Sequence, residues 1–226
     1  MKNKKRARKK TLPAVVVSVI VIIICVTAAA LLVSHVRTVR ILDDPSSVFD
    51  DERYSAPVFI AGVDVIEQDV SCGYAVIEMF SAWAGGDITE ESLYGEYGKV
   101  VTSTGRSFCG EMNKRFPEYH TEMHRYLTNT ELIDLVYDTL SRGFPVPFEW
   151  AAQFEGQWTL HYSLVTGMDI PNDRVVIANP YGYVEEISVG EFLERTSFEA
   201  YSGMPLWMRL GFAFGVFEKN TVFTVE

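Results

Sequence analysis

The sequence predicts an α+β domain preceded by one transmembrane helix. Three observations lead to this prediction: an apolar run near the N-terminus, helical periodicity in the next part of the chain, and consecutive strand-like segments after it. We divide the chain into a basic tail at residues 1–12, a membrane anchor at 13–34, an acidic stalk at 35–56 and one domain at 57–226. About 170 residues suffice for one domain with its own core.

The N-terminal segment has the composition of a membrane anchor. Residues 1–10 contain seven Lys or Arg and no acidic residue, and residues 13–33 are almost wholly apolar. About 20 apolar residues cross a bilayer as a helix, and a basic flank stays in the cytoplasm. We therefore expect a single-pass protein of the cell membrane, with a cytoplasmic N-terminus and an extracellular domain. The alternative is a secretory signal cleaved near residues 28–30, although the apolar run is longer than usual for a signal.

The part of the chain beyond the anchor is strongly acidic. It holds 30 acidic and 13 basic residues, a net charge of −17, whereas the whole chain has a net charge of −10. Such a surface repels phosphate backbones. We therefore expect no nucleic-acid partner.

Caps and apolar periodicity predict the helices. They run from Cys72 to the glycines at 85–86, from a capping box at 87–90 to about Tyr97, over 108–116, from a capping box at 128–131 to Gly143, and from Ser188 to about Arg195.

Segments rich in β-branched and aromatic residues predict an antiparallel sheet. The strands cover residues 145–150, 157–168, 174–179 and 183–187. The apolar segment 204–217 is too short to span a bilayer. We expect it to be a strand that forms a hairpin, through residues 219–220, with a last strand at 221–225.

Three polar side chains in this framework form a candidate catalytic set. Cys72 lies in the first turn of a helix, where the helix dipole favours the thiolate, the nucleophilic form of cysteine. His161 lies on the predicted strand 157–168, and Asn179 ends the next strand. Two adjacent antiparallel strands can present a base and its orienting amide side by side.

The motifs around these residues resemble the C39-like cysteine peptidases, a bacterial branch of the papain-like fold. The resemblance spans about residues 58–198 and rests on Cys72-Gly73-Tyr74-Ala75, residues 140–146, residues 161–167 and Asn179-Pro180-Tyr181-Gly182. It implies Cys72 as nucleophile, His161 as general base and acid, and Asn179 as the group that orients the imidazole. It also implies Gln68 as the oxyanion donor, four residues before the cysteine where the family usually has about six. The family more often has Asp at the position of Asn179.

The resemblance implies a thiol hydrolase, a cysteine peptidase that acts on a peptide or protein without a cofactor. The predicted anchor adds that it belongs to the bacterial cell surface. An amidase or acyl transferase uses the same side chains, so the sequence leaves that alternative open. A papain-like binding module that has lost turnover is another alternative. A transporter-associated leader peptidase is the weakest alternative.

The remaining cysteines and histidines suggest no second site. Cys25 lies in the apolar run, and we expect Cys72 and Cys109 to be free thiols, although a regulatory disulfide between them is conceivable. His120 and His124 have the spacing of a metal site on a helix. They lack the HExxH order, so we expect no metal.

Overall fold

The computed structural model describes residues 14–99 and 102–226, so the predicted basic tail lies outside the described residues. The helices are α1 (Ala14–Ile41), α2 (Ser46–Phe49), α3 (Cys72–Trp83), α4 (Glu90–Tyr97), α5 (Gly105–Arg115), α6 (Asn129–Ser141), α7 (Val189–Thr196) and α8 (Leu206–Ala213). The strands are β1 (Val58–Phe59), β2 (Thr121–His124), β3 (Val146–Phe154), β4 (Gln157–Asp169), β5 (Arg174–Asn179), β6 (Tyr183–Ile187) and β7 (Thr221–Val225).

All seven strands form one antiparallel sheet. Their order is β2-β7-β3-β4-β5-β6, and β1 pairs with the end of β4. One apolar cluster joins α3 and α5 to one face of the sheet, and another joins α6 and α7 to the opposite face. The predicted combination of helices with an antiparallel sheet is therefore confirmed.

Helix α1 is the one described helix that is long and apolar enough to cross a membrane, a property that a signal sequence shares. Its 28 residues span about 42 Å. The helix ends at Ile41, beyond the predicted end of the anchor. Val48 and Tyr54, in the segment that we predict to be a stalk, are buried in the core. The boundary between stalk and domain stays a prediction.

The segment predicted as a strand at 204–217 forms helix α8 instead. Pro205 occupies its N-cap position. Met208 and Phe212, four residues apart, are buried with Phe198 in a small separate cluster. Four-residue spacing places two side chains on one face of a helix, which an assignment by β-propensity overlooks. β7 consequently forms no hairpin with this segment; it pairs with β2 and β3.

Two shorter segments also differ from the expectations. Residues 121–124 form β2, so His120 and His124 do not lie on the helix that their spacing suggested. Alternate residues of a strand share a face, and His124 Nε2 accordingly lies 3.9 Å from Glu122 Oε2. The cap of α4 is Thr89, whose side chain accepts from the backbone of Ser92.

Candidate active site

Cys72 is the first residue of α3, as the sequence predicts. The backbone N–H of Tyr162, on β4, donates to Cys72 Sγ at 3.4 Å. Burial raises the pKa of the thiol to about 11, although the backbone N–H groups of Tyr162 and Gly73 act in the opposite direction. In this state desolvation therefore favours the neutral thiol and opposes the effect of the helix dipole.

His161 and Asn179 are in direct contact. His161 Nε2 lies 3.0 Å from Asn179 Oδ1, and both residues are buried. An amide oxygen only accepts, so Nε2 carries the proton and Nδ1 is left with a free lone pair. Burial lowers the pKa of His161 to about 4, against the raising effect of the bond to Asn179. The imidazole is therefore neutral at ordinary pH and can accept a proton at Nδ1.

The orientation of the Asn179 amide is fixed by further contacts. Asn179 Nδ2 donates to Glu185 Oε2 at 2.6 Å, and Arg195 Nη1 donates to Glu185 Oε1 at 2.6 Å. The Arg195 guanidinium lies 3.7 Å from the centre of the Trp150 ring. Because the amide nitrogen faces a carboxylate, the amide oxygen must face His161.

An aromatic ring covers the imidazole. The rings of Tyr181 and His161 stack with centres 4.1 Å apart and planes 17° apart. Phe154, at the end of β3, packs on Tyr181 with ring centres 4.6 Å apart. This cover shields the bond between His161 and Asn179 from water and helps to explain the lowered pKa of His161.

Gln68 lies on a loop that reaches the same region. Its backbone N–H donates to the carbonyl of Pro180 at 2.8 Å, immediately after Asn179. Its side-chain Oε1 is buried and has no hydrogen-bond partner among the described atoms. The Glu90 carboxylate accepts from the backbone N–H groups of residues 69–71, which holds the loop ahead of Cys72.

A second buried carboxylate lies behind the site. Glu149, on β3, is paired across the sheet with Tyr162, whose hydroxyl donates to it. Burial raises the pKa of Glu149 to about 8. Its Oε2 atom has no partner in the part of the chain that the structure describes.

The structure therefore brings His161 and Asn179 together and places Cys72 against the residue that follows His161. Within residues 14–99 and 102–226, no hydrogen bond joins the Cys72 thiol to the imidazole. The site also contains polar and aromatic residues to which the sequence assigned no role there: Tyr181, Glu185, Arg195, Glu90 and Glu149. Of these residues, only Tyr181 could have been identified from the sequence, because it lies in the motif at 179–182.

No group of three or more His, Cys, Asp or Glu among the described residues is arranged to hold a metal ion. The three cysteines, Cys25, Cys72 and Cys109, are free thiols. The reactive groups of the site are the Cys72 thiol and the oriented, neutral imidazole of His161.

The helix-borne cysteine and the sheet-borne histidine and asparagine belong to a cysteine-peptidase type of fold. Residues 60–205 match the Peptidase_C39 like family, and the chain belongs to this family. Among solved structures, the chain is similar to a double glycine motif protease from an AMS/PCAT transporter, crystallised in complex with the leader peptide. The identity is 17%, the TM-score is 0.48, and the match covers 75% of this chain and 96% of that chain. No curated protein matches the chain.

Proposed function

We propose that the protein is a thiol hydrolase of the cell surface, a cysteine peptidase whose triad is Cys72, His161 and Asn179. The observation that carries this proposal is the 3.0 Å contact between His161 Nε2 and Asn179 Oδ1. It leaves Nδ1 available as a base, on the strand whose next residue contacts Cys72 Sγ. Membership of the family supports a peptide or protein as substrate.

The raised pKa of Cys72 and the lowered pKa of His161 give a resting pair of neutral thiol and neutral imidazole. Catalysis then requires Sγ to transfer its proton to His161 Nδ1 as sulfur attacks the substrate carbonyl. The carbonyl electrons move to oxygen, and the backbone N–H of Cys72 and the Gln68 amide donate to the resulting oxyanion. The imidazolium then protonates the leaving amine as the C–N bond breaks, and water releases the acyl group in the same way. No step needs a cofactor.

The same proposal places α1 in the membrane, with the N-terminus in the cytoplasm and the domain outside. It is supported by the length and composition of α1 and by the seven basic residues that precede it.

The assignment of the nucleophile is tested by two cysteine variants. Cys72→Ala should abolish cleavage of a peptide library, because it removes the attacking atom, and leave the circular dichroism spectrum unchanged. Cys109→Ala is the matched control: Cys109 is a partly buried cysteine on α5 and should be replaceable with most of the activity kept. Equal loss of cleavage in both variants would mean that Cys72 is not the nucleophile.

A binding module that shares the fold is a second candidate, favoured by the burial of His161 and by the raised pKa of Cys72. A thiol-directed epoxide distinguishes the two functions. A hydrolase is alkylated at Cys72 faster when a peptide substrate analogue carries the epoxide than when a small epoxide does, since the peptide positions the carbon at sulfur. A binding module shows equal, slow alkylation by both reagents. An amidase or acyl transferase would share the epoxide result of the peptidase and differ only in the bond that it cleaves.

A further inference from the structure

A cavity of about 520 Å³ opens beside the C-terminal part of α1, away from the residues of the candidate active site. Four arginines line it: Arg37 and Arg40 from α1, Arg106 from α5, and Arg125 after β2. We call it the arginine cavity. It stands out because the chain beyond the anchor otherwise has a large excess of acidic residues.

The positive charge of the cavity is only partly neutralised. Arg106 and Arg125 share one carboxylate, that of the buried Glu218, at 3.4 and 2.7 Å. Arg37 lies over the ring of Tyr126, at 5.2 Å from its centre. Neither Arg37 nor Arg40 takes part in an ion pair with the residues described. Four guanidinium groups and one carboxylate leave an excess of three positive charges.

The cavity lies just beyond the apolar part of α1. The last residue of the apolar run is Val33, and Arg37 and Arg40 follow about one and two helical turns later. Leu31 of α1 lines a second groove together with Met204 and Arg209, so the beginning of α8 is level with the end of the apolar run. A domain anchored by α1 therefore holds the arginine cavity close to the plane of lipid phosphates.

Exposed apolar side chains accompany the cavity. Leu206 and Trp207, at the start of α8, are 68% and 61% exposed, and Phe214, which lines the cavity, is 53% exposed. Tryptophan is enriched at the membrane interface, where its ring spans apolar and polar surroundings. The exposed apolar side chains of α8, whose C-cap residue Phe214 lines the cavity, and the cluster of arginines match the acyl chain and the phosphate of one lipid molecule.

We propose that the arginine cavity binds the phosphate of an anionic phospholipid in the leaflet that faces the domain, while Leu206 and Trp207 contact its acyl chains. Guanidinium groups bind phosphate oxygens in pairs of parallel hydrogen bonds, which suits several arginines to one phosphate. Free inorganic phosphate offers the same oxygens. It leaves the apolar side chains of α8 uncovered, which is why a lipid is the better occupant. The proposal depends on α1 remaining in the membrane and does not depend on hydrolysis.

The test uses the full chain in a neutral detergent, titrated with short-chain phosphatidylglycerol, short-chain phosphatidylcholine and inorganic phosphate. The readout is bound ligand by native mass spectrometry. Arg37→Gln/Arg40→Gln removes two charges from the cavity without breaking an ion pair. Arg142→Gln/Arg174→Gln is the matched control, since both arginines pair with exposed glutamates elsewhere.

We expect phosphatidylglycerol to bind more tightly than the other two ligands. The cavity variant should lose roughly 30-fold in affinity for it, as two basic residues near an anionic lipid imply. The control variant should bind like the unchanged protein. Equal binding of the two lipids, or equal loss in both variants, would overturn the proposal, and preferential binding of inorganic phosphate would replace it with a small-anion site.

A second readout tests the contact with acyl chains without removing any arginine. Lipids brominated on their chains should quench the fluorescence of the unchanged protein in nanodiscs, and Trp207→Phe should remove most of that quenching. Quenching that is unchanged in Trp207→Phe would show that this part of α8 does not touch the chains.

Discussion

The proton on His161 Nε2 is fixed by residues that never touch the substrate in the proposed mechanism. Asn179 offers its oxygen to the imidazole because Glu185 engages its nitrogen, and Glu185 is held in turn by Arg195. Side chains that carry no reactive atom in this mechanism thereby set the tautomer of the imidazole. This is a physical reason for Asn at a position where the family more often has Asp: a neutral amide can sit beside the Glu185 carboxylate without like-charge repulsion.

Gln68 is the residue for which mutation is most informative. Its loop is bonded to Pro180, and its amide can serve only if the side-chain N–H lies about 2.7–3.1 Å from the oxyanion. We predict that Gln68→Ala lowers kcat by about 100-fold or more with little change in stability. Steady-state kinetics and thermal unfolding measure the two effects.

Asp69→Ala serves as control and should have the smaller effect, because a carboxylate would repel the oxyanion. Near-normal kcat in Gln68→Ala would mean that backbone N–H groups or another side chain form the oxyanion hole.

The sequence was informative for some residues of the site and silent for others. Cys72, His161 and Asn179 lie in motifs with recognisable local structure, and the contact between the last two follows from neighbouring strands. Glu185 and Arg195 lie on the next strand and helix, and their role arises from where those elements pack. No local pattern marks a charged residue of an edge strand as the partner of a buried amide.

Glu90, the first residue of α4, links this helix to α3 and to the loop before it. The Glu90 carboxylate accepts three backbone N–H groups from residues 69–71, and the Glu90 N–H donates to Glu78 on α3. Glu90 therefore holds both the loop that carries Gln68 and the helix that begins at Cys72.

We predict that Glu90→Ala lowers both the melting temperature and kcat, because it leaves three backbone donors without their acceptor, at a cost of roughly 1–3 kcal/mol for each donor that stays buried. Glu91→Ala is the matched control, since Glu91 is the exposed neighbour in the same helical turn. Thermal unfolding and peptide cleavage are measured in both variants. A Glu90→Ala enzyme as stable and active as the Glu91→Ala enzyme would show that the loop keeps its conformation without the carboxylate.

Helices with strong caps and segments with long periodicity were predicted well. Helix α6 has the reciprocal cap expected between Thr128 and Glu131, and the bounds of β5 and β6 are as expected. Helix α8 was missed because it has no side-chain cap, unlike α4 and α7, which have the same length. Strand β2 was missed because it has only four residues. Where the local signal is weak, packing against the rest of the domain decides the conformation.

The stability of the whole molecule should respond to the ionisation of Glu149. Its pKa is raised from the ordinary value of 4.5 to about 8, so the folded protein keeps a proton that the unfolded chain releases above pH 4.5. The contribution of Glu149 to the free energy of unfolding is complete below pH 4.5 and is lost as the pH rises through 8.

Glu149→Gln replaces this group with one of the same shape that does not titrate and still accepts from Tyr162. We predict that the two proteins are similarly stable near pH 4.5, and that the variant is more stable by about 4 kcal/mol near pH 9. Denaturant unfolding in detergent at the two pH values measures the difference. A constant difference between the proteins at both pH values would mean that Glu149 titrates normally.

The position of α1 predicts how the molecule distributes in a cell. We expect the full chain to stay in the membrane fraction, with its domain digested by a protease added outside. The reason is that the apolar part of α1 is exposed in the fold and needs a lipid environment. Recovery from the medium of a form beginning near Leu31 would instead show that the segment is a cleaved signal.

The fold class was predictable because four consecutive strands, β3 to β6, follow a mainly helical part of the chain. The order of the strands within the sheet was not predictable. Strand β7 occupies a central position between β2 and β3, and pairing between distant segments leaves no local signature.

That arrangement constrains how the protein is made. β7 follows every other element along the chain, yet all five of its residues are buried inside the sheet. A nascent chain that has been synthesised only as far as Asn220 already contains Cys72, His161 and Asn179, but the edges of β2 and β3 that pair with β7 are then open. Such edges invite pairing with other chains. Synthesis of the residues at the candidate site therefore precedes the pairing of β7 with β2 and β3.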